Sequence, residues 1–166
     1  MAPFIIYIMG VSGSGKTTVG KKLSERMAVP FFDADDFHSP ANKEKMKMGQ
    51  PLTDEDRAEW LNTMNELAKE QMKKKGAIIA CSALKEKYRK VLSGGINIPL
   101  FWIFLRGNYE LIQKRMQART DHYMPPSLLA SQFEALEIPG QAITIDISDE
   151  PDKIVESIIS KLAVKN

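Results

Sequence analysis

Residues 10–18, reading GVSGSGKTT, constrain this chain more than any other stretch. They fit G-x-x-x-x-G-K-[ST], with Gly10, Gly15, Lys16 and Thr17 in the fixed positions and Val11, Ser12, Gly13, Ser14 and Thr18 completing the loop. Small residues let the backbone wrap closely round a polyphosphate, so that its N–H groups and the N-terminus of the next helix all point at negative charge. In such a loop Lys16 reaches the β- and γ-phosphates and the Thr17 hydroxyl is offered to Mg²⁺. The motif needs a buried strand before it and a helix after it. Residues 4–9 are a continuous apolar run, and Val19, Leu23 and Met27 then recur at four-residue spacing.

A chain of 166 residues, 43% hydrophobic and 27% charged, is large enough for one well-buried core and too short for two ordinary domains, so residues 1–166 are expected to form one domain. With 23 basic and 21 acidic residues the net charge is +2, which gives no overall electrostatic case for nucleic acid or an anionic membrane. The lone Cys81 excludes an internal disulfide, offers no metal-ligand spacing and is consistent with a reducing compartment. The first apolar run is short, lacks a positive leader and leads straight into the phosphate loop, so it is read as core strand and not as a secretory signal. No apolar stretch approaches the ~20 residues needed to span a bilayer. A soluble, cytoplasmic protein is the expectation.

Along the chain, residues 31–33 read as a second short strand. A polar segment follows, in which Ser39 and Pro40 start a short helix through about residue 48 that Gly49 and Pro51 end. Thr53 is a good N-cap, with Asp54, Glu55 and Asp56 at the positive end of a helix running to about residue 75. Lys73, Lys74 and Lys75 complement its C-terminal dipole and Gly76 closes it; the run reads as a solvated helix end, not a nucleic-acid contact. Strands are then expected at 77–81, 100–105 and 143–147, and helices at 84–92, at 108–118 with Asn108 as cap, after Pro125 and Pro126, and at 151–162. This alternation predicts a three-layer α/β fold: a five-stranded parallel sheet, helices on both faces, and ligands at the carboxyl ends of the strands.

A phosphate loop alone says that a nucleotide binds. Asn42-Lys43-Glu44-Lys45 lacks the aspartate of a guanine-reading N-K-x-D stretch, which argues against a GTPase. Many phosphate-loop proteins carry a magnesium-ordering aspartate at the end of the third strand, but here that strand ends in Cys81-Ser82. The nearest substitute is Asp33, at the end of the second strand, which can hold a Mg²⁺-bound water if it faces the loop. This departure points towards small-molecule kinases.

Four ordered blocks make the resemblance specific: MGVSGSGKTT; DADDFH followed by NKEKMKMGQPLTDEDRAEWL; CSALKEKYR; and RMQARTDHYMPPSLLASQFEALEIPG. Through them nearly the whole chain resembles the short, phosphate-loop type of gluconokinase. The resemblance implies ATP- and Mg²⁺-dependent phosphorylation of D-gluconate at its terminal hydroxyl to 6-phosphogluconate, feeding gluconate into carbohydrate catabolism. It also implies a fold like that of nucleoside monophosphate and shikimate kinases, with a lid at about residues 119–126, and a homodimer. Ala34 stands where the family usually has glycine, and Ala58-Glu59 where a proline often precedes Trp60.

Matching the blocks residue by residue gives the expected site. Asp35 accepts a hydrogen bond from the attacking hydroxyl, as base or as clamp, since a loose transition state makes positioning sufficient. His38 donates to or accepts from a substrate hydroxyl; its plain alternative is a capping or surface histidine. Arg57, Lys85 and Arg89 are candidates for the gluconate carboxylate, with a solvated basic face as the alternative. Arg57 lies in a first helical turn, where a cation opposes the dipole, and Lys85 and Arg89 are four apart on an expected helix. Gln132 is a further substrate contact. Arg115 and Arg119 close over the nucleotide, and Arg119 with Lys16 and Asp35 carries the phosphoryl transfer. Thr17 and Asp33 serve the metal. Met46, Met48, Met64, Trp60 and Phe133 are expected to pack rather than to touch ligand. Two rivals stay open: the same machinery acting on another small hydroxy acid such as shikimate, and a nucleotide-binding switch without catalysis.

Overall fold

The computed structural model describes residues 2–119 and 125–165. Strands β1 (Phe4–Met9), β2 (Phe31–Asp33), β3 (Gly76–Ala80), β4 (Leu100–Arg106) and β5 (Ile143–Asp146) form one sheet in the order β2-β3-β1-β4-β5, with every neighbouring pair parallel. Helices α1 (Lys16–Met27), α2 (Pro40–Lys47), α3 (Asp54–Met72), α4 (Glu86–Ser93), α5 (Tyr109–Gln117), α6 (Pro126–Ala135) and α7 (Pro151–Lys165) complete the layers.

Strand β1 explains the layering. It is the middle strand and every residue in it is buried, so both of its faces must be covered. Phe4, Ile6 and Ile8 enter a core with Val19 and Leu23 of α1 and Ile154, Val155, Ile158 and Leu162 of α7. Ile5, Tyr7 and Met9 enter a second core with Trp60, Leu61, Met64 and Ala68 of α3 and Tyr88 and Leu92 of α4. The two-residue period of a strand thus splits one apolar run between two helical layers. The one hydroxyl in this run is satisfied, because Tyr7 Oη donates to the Leu92 carbonyl at 2.9 Å.

The caps fall where the sequence puts them. Ser39 Oγ accepts from Asn42 N at 3.1 Å, and Thr53 and Asp56 form a reciprocal capping box at the start of α3. Differences lie at the ends of elements. Helix α3 stops at Met72 and Gly76 already belongs to β3, where its φ of +86° and its backbone lie tight against Phe4. Helix α4 begins at Glu86, not 84, because Ala83 has φ +46° and Lys85 is extended. A short 3₁₀ turn, Ala34–Phe37, capped by the Asp33 carboxylate accepting from Asp35 N, is an element the hydrophobic pattern does not announce.

The consequence for function is placement. The phosphate loop leaves the carboxyl end of β1, the 3₁₀ turn leaves that of β2, and the segment from Cys81 to Lys85 leaves that of β3, so all three meet at one edge. The lid expected at residues 119–126 falls largely on 120–124, outside the described residues. Among the described residues no helix is long and apolar enough to cross a membrane.

Candidate active site

A cavity of about 800 Å³ opens at this carboxyl edge. Its floor is the phosphate loop, with Ser12, Gly13, Gly15, Lys16, Thr17 and Thr18 on the lining. Gly15 caps α1 at φ +94° and gives the helix no side-chain hydrogen bond, so no capping side chain occupies the anion-binding end of α1. A Cβ at Gly15 would have no atom within 4 Å and would stand in the open loop mouth. Beneath the loop the buried Ser14 hydroxyl has no hydrogen-bond partner. A concave nest and an orphaned polar atom suit a polyphosphate. Gly10, Val11 and Ser14 shape the loop from behind and do not line the cavity.

The Lys16 ammonium donates to the Val11 carbonyl at 3.0 Å, folded back over its own loop. Its pKa is lowered from the usual lysine value, chiefly because protein crowding strips its water; Asp35, Cys81 and Asp33 oppose this and Arg119 adds to it. Thr17 Oγ1 donates to Asp33 Oδ2 at 2.6 Å, which brings the two expected metal residues together. Among the described residues no group of three or more His, Cys, Asp or Glu could hold a metal by itself. One hydroxyl and one carboxylate beside a phosphate nest nevertheless fit Mg²⁺, which keeps several waters and takes its other ligands from phosphates.

The far end of the cavity comes from the 3₁₀ turn, α2, α3 and the residues before α4. Asp35, His38, Arg57 and Lys85 all line it. His38, 7% exposed, stacks on Trp60 with ring centroids 4.1 Å apart, and Trp60 Nε1 donates to the Ala34 carbonyl at 2.7 Å. Burial, helped by the Arg57 and Lys43 cations, pushes the His38 pKa down to about 4, so its ring is neutral at ordinary pH. Arg57 Nη1 donates to the Leu52 carbonyl at 2.5 Å and to Tyr88 Oη at 3.2 Å, with its guanidinium 5.2 Å from the Tyr88 ring centre. These contacts offset the unfavourable place of a cation in a first helical turn. Tyr88 Oη and Lys87 both donate to Asp54, and Lys85 Nζ lies 3.7 Å from the same carboxylate. Those two hydrogen bonds hold the Asp54 carboxyl down to about 2.

Other expected residues lie elsewhere. Arg89 is 5% exposed and off the cavity, its guanidinium donating to the Ala83 carbonyl at 2.7 Å, the Glu137 carbonyl at 3.0 Å and Glu86 at 3.2 Å. Lys85, the N-cap of α4, lines the cavity, whereas Arg89, one turn further on, lies off the lining with its guanidinium engaged by those three groups. Arg115 also leaves the lining: its Nη2 donates to the Ile147 carbonyl at 2.5 Å, just past β5. Arg119 does line the cavity, and so does Gln132. Gln132 faces the phosphate loop, where its Oε1 accepts from Ser12 N at 2.7 Å and its Nε2 donates to Ser12 Oγ at 3.1 Å. Of the side chains assigned to packing, Met64 is fully buried and Phe133 packs edge-on to Tyr109, but Met46 and Trp60 line the cavity and Met48 is 65% exposed. The sequence reading missed Asp54, Tyr88 and Asn42. Tyr88 lies three residues from Lys85 in the KEKYR block, which is the available signal; Asp54 combines helix-end charge with a place on the cavity lining.

Comparison with known proteins adds independent findings. A family model described as shikimate kinase matches residues 12–163. A probable gluconokinase of Dictyostelium discoideum is 44% identical over 95% of this chain and 86% of its own. The crystal structure of a gluconokinase from Sinorhizobium meliloti 1021 superposes with a TM-score of 0.88 at 38% identity, covering 98% of this chain and 93% of the other. A shikimate kinase structure from Aquifex aeolicus superposes with a TM-score of 0.68 at 17% identity, over 95% of each chain, a likeness of fold alone.

Proposed function

Since the chain belongs to the gluconokinase family of small phosphate-loop kinases, we propose that it transfers the γ-phosphoryl group of ATP to the terminal hydroxyl of D-gluconate, giving 6-phospho-D-gluconate and ADP. The observation that carries this reading is the make-up of one cavity: a phosphate nest at one end, and at the other a neutral histidine with two cations, Arg57 and Lys85. A polyol needs neutral donors and acceptors along its length, and its terminal carboxylate needs a cation; this end of the cavity supplies both.

The residues then divide the work. The loop amides and the start of α1 take the phosphates, and the Lys16 ammonium swings from the Val11 carbonyl onto the β- and γ-oxygens. Thr17 and Asp33 would hold Mg²⁺, which would neutralise charge on the phosphates. Asp35, two residues beyond β2 in the 3₁₀ turn, orients the attacking hydroxyl. His38 binds a substrate hydroxyl, Arg57 and Lys85 bind the carboxylate, and Arg119 meets the developing charge. Gln132 fixes the loop through Ser12. The homodimer expected from the resemblance and action in the cytoplasm, where ATP is supplied, are part of the same proposal; light scattering of the purified protein tests the first.

Release of ADP measured with D-gluconate, with shikimate and with no acceptor tests the function. Stimulation by gluconate alone is the expected result. Stimulation only by shikimate, or none by either, overturns it.

A further inference from the structure

Helix α2 carries a buried asparagine whose hydrogen bonds fix more than its own position. Asn42 is 6% exposed, and its Nδ2 lies 2.8 Å from the Asp56 carbonyl and 3.5 Å from His38 Nδ1. A backbone carbonyl only accepts, so the Asn42 group facing it is the NH₂ and not the amide oxygen. One of its hydrogens goes to Asp56, which leaves the other for His38 Nδ1, 3.5 Å away. A neutral imidazole receiving a hydrogen at Nδ1 must carry its own on Nε2. No protein partner of Nε2 exists among the described residues, and the ring lines the cavity with one face against Trp60.

We propose that Asn42 is a positioning residue that holds His38 in its Nε2–H tautomer, so that the ring offers the substrate a hydrogen-bond donor and no acceptor at that atom. The anchor is well supported. Ser39 caps α2 at Asn42 N, and the Asp56 whose carbonyl holds the amide is itself fixed by its capping box with Thr53 and by Lys45 at 2.8 Å. The amide therefore cannot turn over without leaving the Asp56 carbonyl against the asparagine oxygen. The substrate atom that His38 selects is then an acceptor: a polyol oxygen whose own hydrogen is donated elsewhere, or a carboxylate oxygen. A compound with only a donor at that place is rejected, because a buried donor left unpaired costs more than a made bond returns. Besides burial, which does most to keep the ring neutral, the groups facing it are cationic Arg57 from α3 and Lys43 from α2, which add to that effect, and the acidic Asp35 and Asp36 of the 3₁₀ turn, which share the cavity.

The role of His38 in binding rests on the proposed gluconate reaction, but the tautomer does not, and the test separates them. The chain has two histidines, so the His122→Gln protein labelled with ¹⁵N in its imidazole reports His38 alone. Long-range ¹H–¹⁵N spectra near pH 7 without ligands should show a bare, imine-type Nδ1 and a protonated, pyrrole-type Nε2. The reverse pattern, or a mixture of both, overturns the proposal whatever the enzyme acts on. For binding, Asn42→Asp puts an acceptor opposite Nδ1, which raises the pKa of His38 and, once the ring is neutral, turns it to present a bare Nε2. At saturating ATP, the variant's KM for gluconate divided by that of the unaltered protein should rise about tenfold between pH 5.5 and 8.5, the loss of one hydrogen bond, with kcat little changed. A ratio flat across that range overturns the role in binding, and Asn42→Gln, which keeps the donor, should restore part of the lost affinity. No turnover of gluconate by the unaltered protein would instead fail the proposed function and leave the spectroscopic result standing.

Discussion

Lys16 is held by opposed influences: crowding disfavours its charge, while Asp35 and Asp33 favour it. An ammonium kept partly dry next to a phosphate nest interacts strongly with charge that moves onto the β–γ bridge in the transition state. Lys16→Ala should therefore lower kcat by about 100- to 1,000-fold with a smaller rise in the KM for ATP; steady-state kinetics that show near-normal kcat would remove Lys16 from catalysis. Asp35→Asn keeps the shape of the side chain and removes its charge. If it acts as base, single-turnover rates with saturating gluconate should fall about 10²- to 10⁴-fold, whereas a clamp alone is worth nearer tenfold. At this scale the sequence spoke through type and block. That Lys16, Thr17, Asp33, Asp35 and His38 share one cavity was legible because the short segments that carry them leave the ends of neighbouring strands. That Arg89 lies off the lining was not legible, because it depends on where α4 starts, and that depends on Ala83 adopting a left-handed conformation, for which alanine gives no warning. Asn42 passed unnoticed because a single buried amide has no periodicity.

Elements were legible wherever one physical signal dominates. The apolar run of β1, the cap at Ser39 and the capping box at Thr53 each announced themselves. The 3₁₀ turn did not, because its only local signature is a carboxylate bonded to an amide two residues on. Gly76 shows how a boundary can carry more than a boundary's weight. A Cβ there would stand 1.9 Å from the Phe4 carbonyl oxygen, on a backbone with φ +86°. Gly76→Ala would force β3 away from β1 at the register pair Phe4–Gly76. Urea unfolding should show a loss of about 3 kcal/mol or more; a loss below about 1 kcal/mol would mean that the sheet yields there at little cost.

For the molecule as a whole, two ligands that meet in one cavity draw on elements from both cores. A ligand at about 100 times its Kd adds about 2.7 kcal/mol, or roughly 5–10 °C in Tm for a chain of this size. A non-hydrolysable ATP analogue with Mg²⁺ should give such a shift, gluconate should add to it, and removal of Mg²⁺ by a chelator should reduce the first part. Equal melting temperatures in all conditions would show that the cavity does not bind them. The strand order has one more consequence, and it concerns how the chain is made. Of the five strands the central one is made before its two neighbours, β3 beginning at Gly76 and β4 at Leu100. At synthesis rates of about 5–20 residues per second, β1 waits on the order of 4–19 s for them. Through that interval FIIYIM, six residues without a charge, is a bare β-prone segment of the kind that aggregates or recruits a chaperone. The strand that unites the finished enzyme is thus a vulnerable piece of the nascent chain until β4 has been translated.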